Sequence, residues 1–285
     1  MASSLDPRNL FDLKGIVAVI TGGGSGIGHM IAKTLAVNGA ERVYILGRRA
    51  EVLDAGAKKS GTTNIIVPIV TDVTSKESLM AAATQIASGI GYVNVVIANA
   101  GQGGPRHQFT PETSIAEFQS ALWNVDFNEY LQTFATNTAG VWYTVVAFLD
   151  LLDKGNKKGN VTQSSQVISL GSVAGFNRAT PGNYAYAQSK AATTHLMKQL
   201  ATALVRYGIR SNMIAPGLYP SDTAAPMLAR FNNVFPKTIV PVERIGTEED
   251  MAGCILYLTS KAGAYLSGAV MLTDGGSLSI LPATY

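Results

Sequence analysis

Seven short, almost wholly apolar runs recur along the chain, and most are followed by a segment long enough to hold a helix. They cover residues 16–20, 43–46, 65–70, 93–98, 166–170, 209–214 and 269–272. Runs of this length without polar alternation read as strands buried on both faces. Helical patterns run from a glycine-rich turn after the first strand through residue 36, and over residues 76–87, 129–152 and 184–207. Strands alternating with helices predict an α/β fold: a doubly wound, seven-stranded parallel sheet with helices on both faces. No repeat and no Gly/Ser linker divides the 285 residues, so residues 1–285 are expected to form a single domain. Residues 154–165 (KGNKKGNVTQSS) are polar and glycine-containing and read as a mobile surface loop.

Composition excludes several classes of function. The net charge is +3 and no Lys/Arg run exceeds two residues, so no nucleic-acid partner is expected. Cys254 is the sole cysteine, and His29, His107 and His195 lack metal-ligand spacing, so neither an intrachain disulfide nor a metal site is expected. No apolar run approaches the ~20 residues of a membrane span, and residues 1–14 lack a leader's apolar stretch. The chain ends Ala283-Thr284-Tyr285, which is not a peroxisomal signal. A cytoplasmic protein without membrane contact is the expectation. Residues 141–152 (VWYTVVAFLDLL) are apolar almost all round, which requires burial on several sides, within one chain or against a second copy.

The first strand runs into Thr21-Gly22-Gly23-Gly24-Ser25-Gly26-Ile27-Gly28, which opens a helix. Glycines there allow a tight turn and close approach of backbone to a pyrophosphate, and the helix start offers free N–H groups. A plain strand-to-helix turn would use fewer of these features. The spacing of Gly22, Gly26 and Gly28 after Thr21 resembles the T-G-x-x-x-G-x-G motif of the short-chain dehydrogenase/reductase family. Further motifs follow in the family's order: Asn99-Ala100-Gly101, then Tyr186-Ala187-Gln188-Ser189-Lys190 like Y-x-x-S-K, Pro216-Gly217, and Asp274-Gly275-Gly276. The resemblance spans roughly residues 12–277. It implies a Rossmann-like fold, a nicotinamide cofactor and hydride transfer between that cofactor and a small-molecule carbonyl/alcohol pair. It also places residues 216–240 as a substrate-loop region.

Cofactor choice is read where the second strand ends, at Gly47-Arg48-Arg49. A carboxylate there would accept from the 2′-hydroxyl of NAD. None is present, and guanidiniums pair with a phosphate. NADP(H) is therefore expected over NAD(H), with Arg48 preferred over Arg49. The family's other basic position, before the second motif glycine, holds Ser25 instead. By resemblance, Asp72 and Val73 would bind adenine, and Asn99, Ala100 and Gly101 would line the ribose. Capping of a helix is the alternative role for Asp72, with Thr74 or Ser75 as competing caps, and a structural role is the alternative for Asn99. Pro216, Gly217 and Ser221 would lie by the carboxamide or pyrophosphate, with Thr223 competing with Ser221.

Tyr186 and Lys190 stand four apart, on one face of a helix. A phenol titrates near ~10, and an adjacent ammonium favours its phenolate, which suits it to pass a proton to and from a carbonyl oxygen. By resemblance, Ser172 holds the substrate oxygen, Lys190 also binds the nicotinamide ribose, and Asn137 kinks its helix, completing an Asn137, Ser172, Tyr186, Lys190 tetrad. Ser172 stands fourteen residues before Tyr186, one more than the family spacing, an insertion assigned to residues 176–180. Pocket candidates are His107, Phe176, Asn183, Tyr219, Met227 and Phe231, which suit an apolar or aromatic ketone. Residues 110–123 read as a lid element or a surface insertion. A homo-oligomer, tetramer or dimer, is implied by the family. A related enzyme doing non-redox or multi-step chemistry such as cyclisation or epimerisation, and a non-catalytic dinucleotide-binding protein, are the competing functions.

Overall fold

The structure, a computed structural model, describes residues 5–62, 64–179, 182–221, 224–225, 229 and 235–285. After a short helical turn, α1 (Pro7–Leu10), the chain alternates strand and helix: β1 (Val17–Thr21), α2 (Gly26–Val37), β2 (Arg42–Gly47), α3 (Ala50–Lys59), β3 (Ile66–Val70), α4 (Lys76–Gly89) and β4 (Val95–Ala98). There follow α5 (Ile115–Trp123), α6 (Phe127–Phe134), a π-helical turn (Ala135–Ala139), α7 (Gly140–Lys158), β5 (Gln166–Leu170), α8 (Tyr184–Leu204) and β6 (Arg210–Pro216). Then come α9 (Glu248–Thr259), β7 (Val270–Thr273) and α10 (Ser277–Ile280). The seven strands form one sheet in the order β3-β2-β1-β4-β5-β6-β7, with every pairing parallel. The Rossmann-like doubly wound sheet expected from the seven apolar runs is the fold observed.

The strands are apolar throughout because both faces are covered. Along β1, Ala18 and Ile20 join a core with Ile31 and Leu35 of α2, Leu53 of α3 and Ile255 and Leu258 of α9. Val17 and Val19 join the opposite core with Ala82 and Ile86 of α4, Phe148 and Leu152 of α7 and Met197 of α8. Each fully buried Ile or Leu contributes roughly 1.5–3 kcal/mol by leaving water. The order reverses between β1 and β4, and the crevice beyond their C-terminal ends is where such sheets bind ligands.

Two sequence expectations change. Residues 154–158 are helical, not a loop: Lys154 and Lys157 pair with Asp150 and Asp153 one turn back at 2.7 and 2.5 Å. Gly155 does not break this helix, since a Cβ there would lie 2.2 Å from the Val93 carbonyl oxygen and only glycine fits. The rest of the segment is pinned, with Asn156 accepting from Ser165 N at 2.7 Å and Gln163 donating to Thr259 O at 2.9 Å. The single helix expected over 129–152 is two helices joined at the π turn. Burial of α7 is one-sided within the chain, for Trp142, Tyr143 and Val146 remain exposed. Within residues 110–123, Ile115–Trp123 form α5, started by a Ser114–Glu117 capping box. Among the described residues, no helix is long and apolar enough to cross a membrane.

Candidate active site

The glycine loop occupies the C-terminal end of β1. Gly22 has φ +66, and a Cβ on it would stand 2.9 Å from Asn99 Nδ2. A Cβ on Gly28 would stand 2.2 Å from the Gly22 carbonyl, so the loop closes on α2 only with glycine there. Ser25 is the N-cap of α2 and its side chain makes no capping bond, which leaves the first-turn N–H groups of a twelve-residue helix facing the crevice mouth. Ile27 turns inward against the core. Ser221 lies against the loop, its Cβ 3.3 Å from where a Cβ on Gly26 would be. A side-chain-free cradle at a helix start fits a pyrophosphate. Asn99 is spent on structure: it donates to Thr21 O at 2.9 Å and Gly22 O at 3.1 Å, while Asn99 N and Ala100 N donate to Thr21 Oγ1 at 3.1 Å. Gly101 leads from this loop toward Asn137 Oδ1 and Lys190 Nζ, which would be 3.2 and 3.6 Å from a Cβ on it.

At the other end of the crevice, Arg48 and Arg49 are exposed beyond β2. Asp72 Oδ1 accepts from Thr74 N at 2.9 Å and Thr74 Oγ1 at 2.7 Å. Burial pushes the Asp72 carboxyl up, but these bonds and the nearby positive charge of Arg48 hold it below its usual value. Ser75, not Asp72, caps α4, so Asp72 is released from the capping role. Val73 is buried, with its Cγ2 3.0 Å from where a Cβ on Gly140 would lie. Arg48 thus lies near enough to Asp72 for its charge to act on it, and Val73 is buried beside them.

Asn137, Ser172, Tyr186 and Lys190 meet at the centre. The π turn brings Asn137 inward, fully buried. Its Oδ1 accepts from Gln102 N at 2.9 Å, and its Nδ2 donates to Gln102 O at 2.9 Å and Ser189 Oγ at 3.0 Å. Thr193 Oγ1 donates to Asn137 O at 2.7 Å, taking up a carbonyl in the widened turn. Lys190 is buried, and its Nζ donates to Leu170 O at 2.7 Å and lies 5.8 Å from the centre of the Tyr186 ring. Burial brings the Lys190 ammonium down to about 8. Ser172 follows the end of β5 and accepts from Ala174 N at 3.1 Å. Burial pushes the Tyr186 phenol up, against the pull of the neighbouring Ser172 hydroxyl and of the positive charge on Arg106.

Pro216 closes β6, and Gly217 donates to Thr273 O at 3.0 Å. Tyr219 is corrected from pocket wall to core: it is 2 % exposed, it packs over Gly246, and its hydroxyl bonds Thr273 Oγ1 at 2.5 Å. Thr223, Met227 and Phe231, and part of the 216–240 and 176–180 segments, lie outside the described residues. Phe176 is tied to the end of the chain, stacking edge-on with Tyr285 at 5.2 Å and accepting from Thr284 N at 2.9 Å. Ser189 was part of the sequence motif, whereas Gln102 and Arg106 were not singled out as site residues.

The family profile described as short chain dehydrogenase matches residues 16–230. The short-chain dehydrogenase/reductase PhomF of Diaporthe leptostromiformis is 48 % identical over 294 aligned residues, covering 100 % of both chains. VdtF of Byssochlamys spectabilis, also described as a short-chain dehydrogenase/reductase, is 41 % identical over 99 % of both. Among solved structures, the Pseudomonas aeruginosa RhlG/NADP active-site complex superposes with a TM-score of 0.78 at 30 % identity, covering 94 % of this chain and 98 % of that one. On the profile match, the relatives and the parallel sheet together, the chain belongs to the short-chain dehydrogenase/reductase family.

Proposed function

We propose that the chain is an NADP(H)-dependent oxidoreductase that reduces a ketone or aldehyde of a small apolar or aromatic metabolite to an alcohol, reversibly. The observation that carries this reading is the convergence of Tyr186, Ser172, Lys190 and Asn137 beside a glycine cradle. Bound NADPH would supply the hydride that the carbonyl carbon receives. Tyr186 donates its phenolic proton to the carbonyl oxygen as that oxygen gains negative charge, and Ser172 Oγ holds the same oxygen. Lys190, positive and enclosed, offsets the phenolate left on Tyr186. Asn137 acts at a distance, fixing the Gln102 backbone and Ser189.

Support for the 2′-phosphate comes from Arg48 beside Asp72, with no acid at the end of β2. The similar RhlG structure is described as an NADP complex. Phe109 and Phe118, with ring centres 4.6 Å apart, and Phe176 supply apolar surface along the loops that follow β4 and β5. Exposed Phe127, Leu131, Trp142 and Val146 on α6 and α7 support pairing with a second copy, as a homodimer or homotetramer. A soluble, cytoplasmic setting is proposed with it.

Tyr186→Phe tests the reading. It removes the proton donor and keeps the ring, so ketone-dependent NADPH oxidation should fall by about 100-fold or more, while NADPH still binds. Near-normal turnover in this variant would overturn the mechanism.

A further inference from the structure

Ser172 opens a turn of 3-10 helix, Val173–Gly175, and accepts from Ala174 N at 3.1 Å. The bonds within the turn are local: Gly175 N donates to Ser172 O at 3.1 Å, and Phe176 N and Asn177 N donate to Val173 O at 3.0 Å. They fix its shape, not its place against the sheet. One side is set by α8, since a Cβ on Gly175 would lie 2.9 Å from Lys190 C and Ala191 N. The other side is set by residues 282–285. Arg178 N donates to Pro282 O at 2.8 Å and Thr284 N donates to Phe176 O at 2.9 Å, framing an antiparallel bridge between Asn177 and Ala283. Thr284 Oγ1 donates to the same Phe176 O at 3.2 Å. Tyr285 meets the Phe176 ring edge-on at 5.2 Å, and its hydroxyl donates to Val270 O at 3.1 Å, at the start of β7. The segment is anchored upstream by Asp274-Gly275-Gly276. Asp274 Oδ1 accepts from Gly276 N at 2.9 Å and its Oδ2 from Leu278 N at 2.8 Å, which sets the direction of α10. A Cβ on Gly217 would stand 2.8 Å from Asp274 Cα, so this turn also backs onto the end of β6.

We propose that residues 282–285 form a clasp that positions Ser172 for the substrate carbonyl, with Thr284 and Tyr285 as positioning residues. This rests on the reading of Ser172 as the group that holds the carbonyl oxygen. A hydrogen bond to an oxygen that gains charge helps only if its donor is already in place. A shift of about 1 Å at a reacting centre costs up to about 100-fold in rate. The clasp acts through the Phe176 backbone and the turn behind it, and it presses that turn from the side opposite Lys190. The Asp274-Gly275-Gly276 motif thereby gains a task, since it aims the segment that grips the serine turn.

Thr284→Pro removes both donors to Phe176 O, the N–H and the hydroxyl. Amide exchange over residues 173–178, followed by mass spectrometry on the full chain with NADP⁺, should quicken by about tenfold or more as that hold is lost. The melting temperature and NADPH affinity should stay near wild type. With acetophenone as the probe, kcat for NADPH oxidation should fall about tenfold or more while KM for NADPH holds. In a Ser172→Ala background the same change should cost nothing further, because the group it positions is gone. Tyr285→Phe keeps the ring contact and should recover most of the kcat lost in Tyr285→Ala. Unchanged exchange in Thr284→Pro would overturn the clasp, whether or not acetophenone is reduced. Raised exchange with full kcat, or an equal loss of kcat in the Ser172→Ala background, would overturn the positioning of Ser172. Raised exchange in a protein whose wild type leaves acetophenone and other aromatic ketones untouched would uphold the clasp and count against the reductase reading instead.

Discussion

Lys190 Nζ donates to the carbonyl of Leu170 at 2.7 Å, so the ammonium is tied to the end of the strand that delivers Ser172 two residues later. One contact therefore sets the spacing between the α8 pair and the serine. Burial holds this lysine at about 8. It is charged below that pH and neutral above it, so carbonyl reduction should be level up to pH 8 and decline beyond. The same shift has a sign for stability. The folded value lies below the ordinary lysine value, so the unfolded chain binds more protons between about 8 and ~10.4. The burial cost is fully present below pH 8 and is relieved as pH rises through that window. A pH–rate profile checks the first statement, and a profile level to pH 10 would contradict it. Urea unfolding of wild type and Lys190→Met at pH 7 and 9.5 checks the second.

Arg48→Ala removes the guanidinium from the Asp72 end of the crevice. NADPH affinity should drop by about 10–100-fold, the worth of a charge-assisted bond to phosphate, with little change for NADH. Titration of protein fluorescence with each cofactor measures both. Equal losses would show that Arg48 supports the fold there and does not read the phosphate.

Arg210 opens β6 at 7 % exposure. Its guanidinium donates to Gly263 O at 3.0 Å, Leu266 O at 3.2 Å and Ser164 O at 3.1 Å. Burial lowers its pKa only to about 10, so it stays charged at neutral pH. Arg210→Met fills similar space but strands those carbonyls, and should cost about 3 kcal/mol of stability. The urea midpoint should fall, while KM for cofactor at 25 °C should hold because Arg210 stands at the opposite end of the strands from the crevice. An unchanged midpoint would mean that water replaces the guanidinium without loss.

The strands were legible because a sheet covered on both faces leaves no polar alternation to obscure them. Helices were less so. α3 went unread because Gly56 interrupts its pattern; the residue is glycine because a Cβ would lie 2.7 Å from Gly24 O, a contact invisible before folding. α9 began with a capping box, Thr247 with Asp250, which could have been found. The end of α7 was missed because glycine and lysines were weighed as loop chemistry although the Asp150–Lys154 and Asp153–Lys157 spacing marks a helix face. In the site, Tyr186 and Lys190 were legible because their relation is local. The partners of Asn137 were not, because Gln102 and Ser189 lie 35 and 52 residues away and only the folded chain supplies them. Tyr219 was misassigned because an aromatic after a Pro-Gly looks the same whether it faces a pocket or, as here, the Thr273 hydroxyl.

The turn at Ala135–Ala139 carries one residue more than the α-helical turn it replaces. That surplus sets the rotational phase of α6 against α7. Deleting a single residue there would rewind the strip into ordinary helix and swing everything before it by about 100° about the axis. Tyr130 would leave its partner Gln188 on α8, and Thr133 would leave the hollow above Gly104. What reads in sequence as one long helix is thus two segments, timed one residue apart.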